Sequence, residues 1–183
     1  MSNFDRVSAE ITWQGQIFTA GVEHFRHADG QVVSREKVWH PGAVGILAVD
    51  SEVVWLTRQP REPADLSASL EIPAGKRDVE GEPTLRTAQR ELAEEIGKQA
   101  QDWRELEVFF TSPGFSDERV WLYLARDLSD APDAEPDPGE MIEIVPWPLD
   151  ELDAALEECE DSKSLIALYW LVAQLERGTL PEA

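Results

Sequence analysis

Gly75-Lys76-Arg77-Asp78-Val79-Glu80-Gly81-Glu82-Pro83-Thr84-Leu85-Arg86-Thr87-Ala88-Gln89-Arg90-Glu91-Leu92-Ala93-Glu94-Glu95-Ile96-Gly97 decides how this chain is read. Leu85, Ala88, Leu92 and Ile96 recur at steps of three, four and four, the apolar stripe of a helix packed on a core. Pro73-Ala74-Gly75 ahead of the run is a turn signal, and Gly97 after it is a helix stop. On the face opposite the stripe the helix collects Glu91, Glu94 and Glu95, three and four residues apart and so one above another. Like charges placed this way repel by roughly a few tenths of a kcal/mol per pair. Two readings are open. The cluster is a solvated face built from a good helix former, or it is a set of hard oxygen ligands for a divalent cation such as Mg²⁺ or Mn²⁺. Arg90, beside Glu91 and four residues before Glu94, is spaced to orient a carboxylate by a charge-assisted hydrogen bond. Metal-ligating carboxylates generally have such outer support.

The stretch resembles the Nudix box, in which Gly, five residues, Glu and seven residues precede Arg-Glu-apolar-x-Glu-Glu-x-Gly-apolar. Gly75, Glu82, Arg90, Glu91, Leu92, Glu94, Glu95 and Gly97 match in order, eight specified positions over 23 residues. Two positions depart from the pattern: six residues separate Gly75 from Glu82, and Lys98 stands where an apolar residue is usual. A loop insertion ahead of a helix is cheap, and neither departure touches the Arg-Glu-x-x-Glu-Glu core; the role of Glu82 is the one they weaken. The resemblance implies an α/β (α+β) fold, a Nudix-type α/β/α sandwich with a mixed sheet. It also implies metal held by Glu91 and Glu95, with Glu94 helping or bridging and the carbonyl of Ala74 adding a ligand.

The formal charge of −21, from 37 acidic and 16 basic residues, argues against binding nucleic acid or an anionic membrane through a basic surface. The same charge would repel a phosphorylated substrate. Bound divalent cations and a few convergent arginines would offset that locally, while most of the acidity serves solubility or salt tolerance. No run of about 18 apolar residues is present, so no membrane span is expected, and Met1-Ser2-Asn3-Phe4-Asp5-Arg6 lacks the pattern of a signal peptide. The single cysteine, Cys159, excludes an internal disulfide and suits a reducing cytoplasm, the expected location. Glu157, Glu158 and Glu160 around it should raise the thiol pKa, which speaks against catalysis. His24, His27 and His40 form no metal-ligand pattern with it, so zinc is not expected.

Outward from the box, residues 1–40 read as an N-terminal β region and residues 41–183 as the catalytic domain. Glu10–Trp13 and Ile17–Arg26 alternate as strands do, and Asp29-Gly30 turns the second into a return run, Gln31–Trp39, an antiparallel hairpin. After Pro41-Gly42, Ala43–Val49 and Val53–Arg58 form a second pair. Glu62–Ser69, holding Pro63, reads as a loop. Strands are expected near Glu105–Thr111 and Val120–Ala125, a long acidic loop over Ala131–Gly139, and a short strand over Met141–Val145. Two helices close the chain at about Leu149–Glu158 and Ser162–Arg177, the second capped by Asp161.

Further patches resemble the ADP-ribose pyrophosphatase branch of the family. Leu70-Glu71-Ile72-Pro73-Ala74-Gly75-Lys76 is similar to its "E-L-P-A-G-K" segment, and Arg58-Gln59-Pro60-Arg61 to its "R-Q-Y-R". Ser34–Val44 is similar to its "R-E-V-V-x-H-P-G-A-V" strand, and Lys163-Ser164 resembles the "K-T" of its last helix. Ser112-Pro113-Gly114-Phe115-Ser116-Asp117-Glu118 matches "S-P-G-F-S-D-E", with Pro113 sixteen residues beyond Gly97 where the branch carries its diagnostic proline. Arg35, Arg58 and Arg61 are candidates to grip a diphosphate, since guanidinium forks recognise phosphate bidentately; the other reading is ordinary salt bridging, for instance of Arg61 with Glu62. Pro113, Gly114 and Phe115 form a tight turn and a candidate substrate loop. Trp13, Trp39, Phe25 and Phe115 are candidates to stack on adenine, or core or interface aromatics. In this branch the general base comes from a mobile acidic loop in an "E-F-I-E-V" context, which Glu140-Met141-Ile142-Glu143-Ile144 matches. Glu140 is therefore the first candidate for the base and Glu118 the second, with a role on metal or ribose as its alternative. The implied reaction is metal-assisted hydrolysis of ADP-ribose, or a related nucleoside diphosphate sugar, to AMP and ribose 5-phosphate. GDP-mannose or a dinucleotide as substrate, and a noncatalytic Nudix-fold ligand sensor, are the alternatives. The family implies a homodimer built through the N-terminal hairpin.

Overall fold

The near-continuous apolar run Ala43–Val49 forms β4, the strand on which the larger sheet is organised. Such a run suits a strand buried on both faces, and Val44, Ile46, Leu47, Ala48 and Val49 are all at most 2% exposed. The computed structural model describes residues 3–132 and 141–179. β4 pairs in parallel with β9 (Arg119–Asp130), from Ala43 opposite Val120 to Ala48 opposite Ala125. It pairs antiparallel with β5 (Val53–Arg61) at one end and with β7 (Ala74–Lys76) at the other. With β8 (Lys98–Phe110) beyond β9, and β10 (Glu143–Pro148) and β6 (Leu66–Glu71) on β5, the sheet is seven-stranded and mixed.

α1 (Thr84–Ile96) lies on one face, packing Ala88, Leu92 and Ile96 against Val44, Ile46 and Ala48. Full burial of a side chain such as Leu92 contributes about 1.5–3 kcal/mol. Gly97 ends the helix in the left-handed region (φ 65°), its N–H returning to the carbonyls of Ala93 and Leu92, a backbone shape glycine adopts without cost. α2 (Leu152–Glu158) and α3 (Ser162–Arg177) close the chain, and Ala167, Leu168 and Leu171 of α3 are fully buried. Asp161 caps α3 as expected, its side chain accepting the Ser164 N–H.

Several boundaries differ from the sequence reading. Of the expected loop Glu62–Ser69, only Glu62–Ala64 is a short 3₁₀ turn; Leu66–Glu71 is a strand. Pro63 sits in the first turn of the 3₁₀ segment, where no N–H is needed, so it interrupts less of the chain than its presence suggests. Pro60 is accommodated inside β5 by a register shift between Gln59 and Arg61, a bulge being one of the places where a strand tolerates a missing donor. β10 starts at Glu143 and carries Pro146 and Pro148 within it; it pairs only with β5, at the edge of the sheet. β8 and β9 both run longer than their apolar centres. The expected acidic loop over Ala131–Gly139 falls almost wholly outside the described residues, as does Glu140.

By its internal contacts the chain divides into two units, Met1–Gly42 with Phe109–Arg119, and Ala43–Val108 with Val120–Ala183. The first contains a three-stranded antiparallel sheet of β1 (Phe4–Gln14), β2 (Thr19–His27) and β3 (Val32–Trp39). Every residue of β1 is exposed, Val7, Ile11 and Trp13 among them.

Candidate active site

The turn between Ile72 and Lys76 brings the peptide of Ala74-Gly75 against the glutamates of α1. The Ala74 N–H donates to Glu95 Oε2 at 2.9 Å, and Glu95 is 7% exposed. Glu95 is thus drawn in from solvent, against the reading of the acidic cluster as a purely solvated face. It adjoins Ile96 and lies three residues past Leu92, at the border of the packed stripe, so its carboxylate turns under the turn. Gly75 is bare for a different reason: a Cβ there would stand 1.9 Å from Glu91 Cδ and 2.2 Å from its Oε1. The box glycine is a cradle for a carboxylate. Arg90 Nη1 lies 2.8 Å from Glu91 Oε1 and 2.8 Å from Glu94 Oε2, with Asp78 at 3.5 Å and Glu82 at 3.7 Å from Nη2. Partial burial alone would lower the Arg90 pKa; Glu91, Glu94 and Glu82 outweigh it and hold the guanidinium charged. Glu82 also accepts the Thr87 hydroxyl at 2.8 Å, so the longer loop still returns it to the helix. Among the described residues no three His, Cys, Asp or Glu side chains converge as a ready-made metal set. The donors themselves fit a hard divalent cation: carboxylate oxygens on adjacent turns, one seated over Gly75 and one pinned by Ala74. Gly75→Ala should displace Glu91, the flexible partner, with little loss of stability. Because misplacement of about 1 Å costs about 100-fold, steady-state assays should show a fall in kcat of that order beside a melting temperature close to wild type.

A second cluster lies on β6 and α3. Glu71, 2% exposed, receives Arg61 Nε and Nη2 at 2.7 and 2.8 Å and Lys163 Nζ at 2.6 Å. Burial would push its carboxyl up; the Arg61 fork and Lys163 overcome that and hold it at about 2. The hydrogen bonds that Arg61 donates to Glu71 raise its own pKa in turn, and Glu95 adds to the negative field around that guanidinium. Arg61 therefore pairs with Glu71, not with its neighbour Glu62. Arg58 gives Nε and Nη2 to Glu158 at 2.9 and 2.8 Å and lies 5.8 Å from the Trp147 ring centre. Glu143 is exposed on β10. Cys159 is 5% exposed, and its thiol is pushed up by burial, against an opposing hydrogen bond to the Asp161 backbone; the flanking glutamates named from the sequence are not the cause.

In the first unit, the loop that carries Pro113, Gly114 and Phe115 is closed by Thr111 N–H to the Glu118 carbonyl (3.2 Å) and by Ser116 N–H to the Ser112 carbonyl (2.9 Å). It docks on β3 through Val38 N–H to the Phe115 carbonyl at 2.8 Å. Glu118 accepts the Thr111 hydroxyl at 2.7 Å and lies 3.4 Å from His40 Nδ1. A cavity of about 560 Å³ opens within this unit. Phe4, Phe25, Phe110 and Phe115 line it with the cations Arg6, Arg35 and Lys37 and the anions Glu36 and Asp117. Arg35 donates to the Ser34 carbonyl at 2.8 Å, while Lys37 bridges Glu23 (2.9 Å) and Asp117 (3.1 Å). Trp13 packs on Phe18 and Trp39 lies beneath Lys37, so of the four aromatics named from the sequence only Phe25 and Phe115 line the cavity. Sequence reasoning missed Glu71 as a buried anion and Lys37 as a bridge. For Glu71 one signal was present, a lone charge inside the apolar run Leu70-Glu71-Ile72.

A mixed sheet with helices against it, a glycine turn and an Arg-Glu-x-x-Glu-Glu helix is the framework of a divalent-metal hydrolase. A family model for the NUDIX domain matches residues 39–169, and the chain belongs to the Nudix family. It is 36% identical to an ADP-ribose pyrophosphatase of Bacillus subtilis (strain 168) over 90% of each chain. To an ADP-ribose pyrophosphatase of Mycobacterium tuberculosis (strain ATCC 25618 / H37Rv) it is 40% identical over 76% of this chain and 68% of that one. It is also 37% identical to a methanol dehydrogenase activator of Bacillus methanolicus over 92% of each. The crystal structure of an ADP compounds hydrolase superposes with a TM-score of 0.82 over 100% of this chain and 98% of that one; at 24% identity this shows the fold.

Proposed function

We propose that the chain hydrolyses the pyrophosphate of ADP-ribose, or a closely related nucleoside diphosphate sugar, to AMP and ribose 5-phosphate, using Mg²⁺ or Mn²⁺. The observation that carries this reading is the convergence of Glu91 and Glu95 on the Ala74-Gly75 turn, in a chain with two relatives named ADP-ribose pyrophosphatase. Glu91 and Glu95, with Glu94 and the Ala74 carbonyl, would hold the metal. When bound, it neutralises the diphosphate, polarises a phosphorus–oxygen bond and acidifies a water. Arg90 keeps the carboxylates apart and oriented. Arg35, which donates to the Ser34 carbonyl, supports the phosphate reading better than Arg58 and Arg61, whose forks are held by Glu158 and Glu71. Glu140, outside the described residues, is the proposed base on its sequence context, with Glu118 as the alternative. The aromatic and cationic lining of the cavity beside Phe25 and Phe115 suits an adenine and its ribose phosphate.

Residues 41–183 would carry catalysis, and residues 1–40 substrate contacts and pairing with a second copy in the cytoplasm; the exposed Val7, Ile11 and Trp13 support such pairing. Among the described residues no helix is long and apolar enough to cross a membrane. AMP release from ADP-ribose, measured by chromatography with and without Mg²⁺ or Mn²⁺, tests the reaction, and kcat/KM over a panel of nucleoside diphosphate sugars tests the specificity. Tight binding without turnover would favour a ligand sensor instead. Arg35→Ala should raise KM about 10-fold or more, the value of a hydrogen bond to a charged group, with kcat little changed. The relative from Bacillus methanolicus supports a second reading, activation of a dehydrogenase; an increased alcohol oxidation rate on adding this chain to methanol dehydrogenase would reveal it.

A further inference from the structure

Residues 70–74, which lead from β6 into the Ala74-Gly75 turn, are tied to the rest of the fold at every position. The Leu70 carbonyl receives the Cys159 thiol at 3.3 Å, the Glu71 carboxylate receives Lys163 at 2.6 Å, and the Ile72 N–H donates to Ser164 Oγ at 2.8 Å. The Pro73 carbonyl accepts the Ile46 N–H at 2.8 Å, and the Ala74 N–H holds Glu95. Three of these five ties come from the short segment 159–164 at the start of α3.

Of these three, Ser164 holds the residue closest in the chain to the Ala74-Gly75 turn, Ile72. It is fully buried, and its hydroxyl donates to Asp161 Oδ2 at 2.6 Å while accepting from Ile72. Asp161 Oδ2 also takes the Ser164 N–H at 2.9 Å. The cap thus fixes where the hydroxyl proton points, and a lone pair is left aimed at Ile72. Between Ile72 and Ala74 stands Pro73, whose ring locks its own φ and restricts the residue before it. The link from the Ile72 peptide to the Ala74 peptide is therefore stiff, so a shift at one is passed to the other.

We propose that Ser164, oriented by Asp161, is a positioning residue for the metal-holding carboxylates. It fixes the Ile72-Pro73-Ala74 strut, and the strut sets Glu95 by the Ala74 N–H and Glu91 by the bare Gly75. This rests on the reading that Glu91 and Glu95 hold a divalent ion. Ser164→Ala leaves the Ile72 N–H buried without its acceptor and frees the strut, while Asp161→Ala frees the hydroxyl rotor without removing it. Ser164→Thr keeps the hydroxyl. Leu171→Ala, in the same helix and fully buried, is the control for plain loss of stability.

Mn²⁺ binding to the whole chain, followed by the electron paramagnetic resonance signal of the free ion below every variant's melting point, tests this. Ser164→Ala is expected to weaken Mn²⁺ binding about 10-fold or more, the cost typical of losing outer support for a ligand. Asp161→Ala should weaken it in the same direction, and it supplies the comparison if Ser164→Ala does not fold. Ser164→Thr and Leu171→Ala should bind as wild type does, the latter despite a lower melting temperature. Wild-type affinity in Ser164→Ala, or in Asp161→Ala where that variant stands in for it, overturns the inference alone. So does equal weakening in Leu171→Ala. A wild-type chain that takes up no Mn²⁺ overturns the metal reading and the inference with it.

Discussion

Glu95→Gln is expected to abolish turnover while leaving the fold intact. The amide keeps a carbonyl oxygen for the Ala74 N–H, which now reaches Glu95 Oε2 at 2.9 Å, and it matches the volume of the acid in a site that is 7% exposed. What it removes is the negative charge. If that charge holds a cation supplying about 4 kcal/mol of transition-state stabilisation, kcat falls about 1,000-fold. The melting temperature should stay within the shift that about 1 kcal/mol produces, because the Ala74 N–H keeps its acceptor. Steady-state kinetics and thermal unfolding on the same sample separate the two effects. A variant that retains a tenth of wild-type kcat would remove Glu95 from the metal set.

Glu71→Gln should behave in the opposite way, with a large effect on stability. Removing one member of a buried ion pair typically costs about 3–5 kcal/mol, because the remaining charge keeps its desolvation penalty. Here two cations, Arg61 and Lys163, are left behind. The same figure follows from titration. The Glu71 carboxyl is held at about 2 against an ordinary 4.5, and at about 1.36 kcal/mol for each tenfold change the difference is about 3 kcal/mol. Because the folded-state value is depressed, this stabilisation is complete above about pH 4.5 and is lost as the pH falls toward 2. Denaturant titrations of wild type and variant should therefore differ by a constant amount from pH 7 down to about 5 and converge below that. A difference that does not change with pH would mean that the loss comes from packing and not from charge.

What could be read from the sequence was what is encoded locally. The apolar stripe of α1, its stop at Gly97, the cap at Asp161 and the buried run of β4 each depend on residues within a turn or two. The box was legible because its eight positions sit on one helix and the loop before it. The rest depended on partners far along the chain. Glu71 is buried against Lys163, 92 residues away, and nothing near Glu71 announces a lysine. Glu62–Ser69 reads as loop from its proline and polar residues, yet pairing with β5 makes Leu66–Glu71 a strand. Glu95 stands on the acidic side by helical spacing, and only the return of the Ala74 peptide draws its carboxylate inward. The cavity lined by Phe4, Phe25 and Phe115 joins three separate segments, so no window of sequence contains it.

The parallel pairing of β4 with β9 has a consequence for how the chain is made. Val44 meets Trp121 and Ala48 meets Ala125, so β4 leaves the ribosome 77 residues before the strand that covers its other edge. At a synthesis rate of about 5–20 residues per second, that edge waits roughly 4 to 15 seconds. During that time an almost wholly apolar strand is held only by β5 and β7. Pairing of this range is slow to form, and open edges of this kind invite association. The nascent first half is therefore the form of this protein most prone to aggregate, and the form that a chaperone would meet.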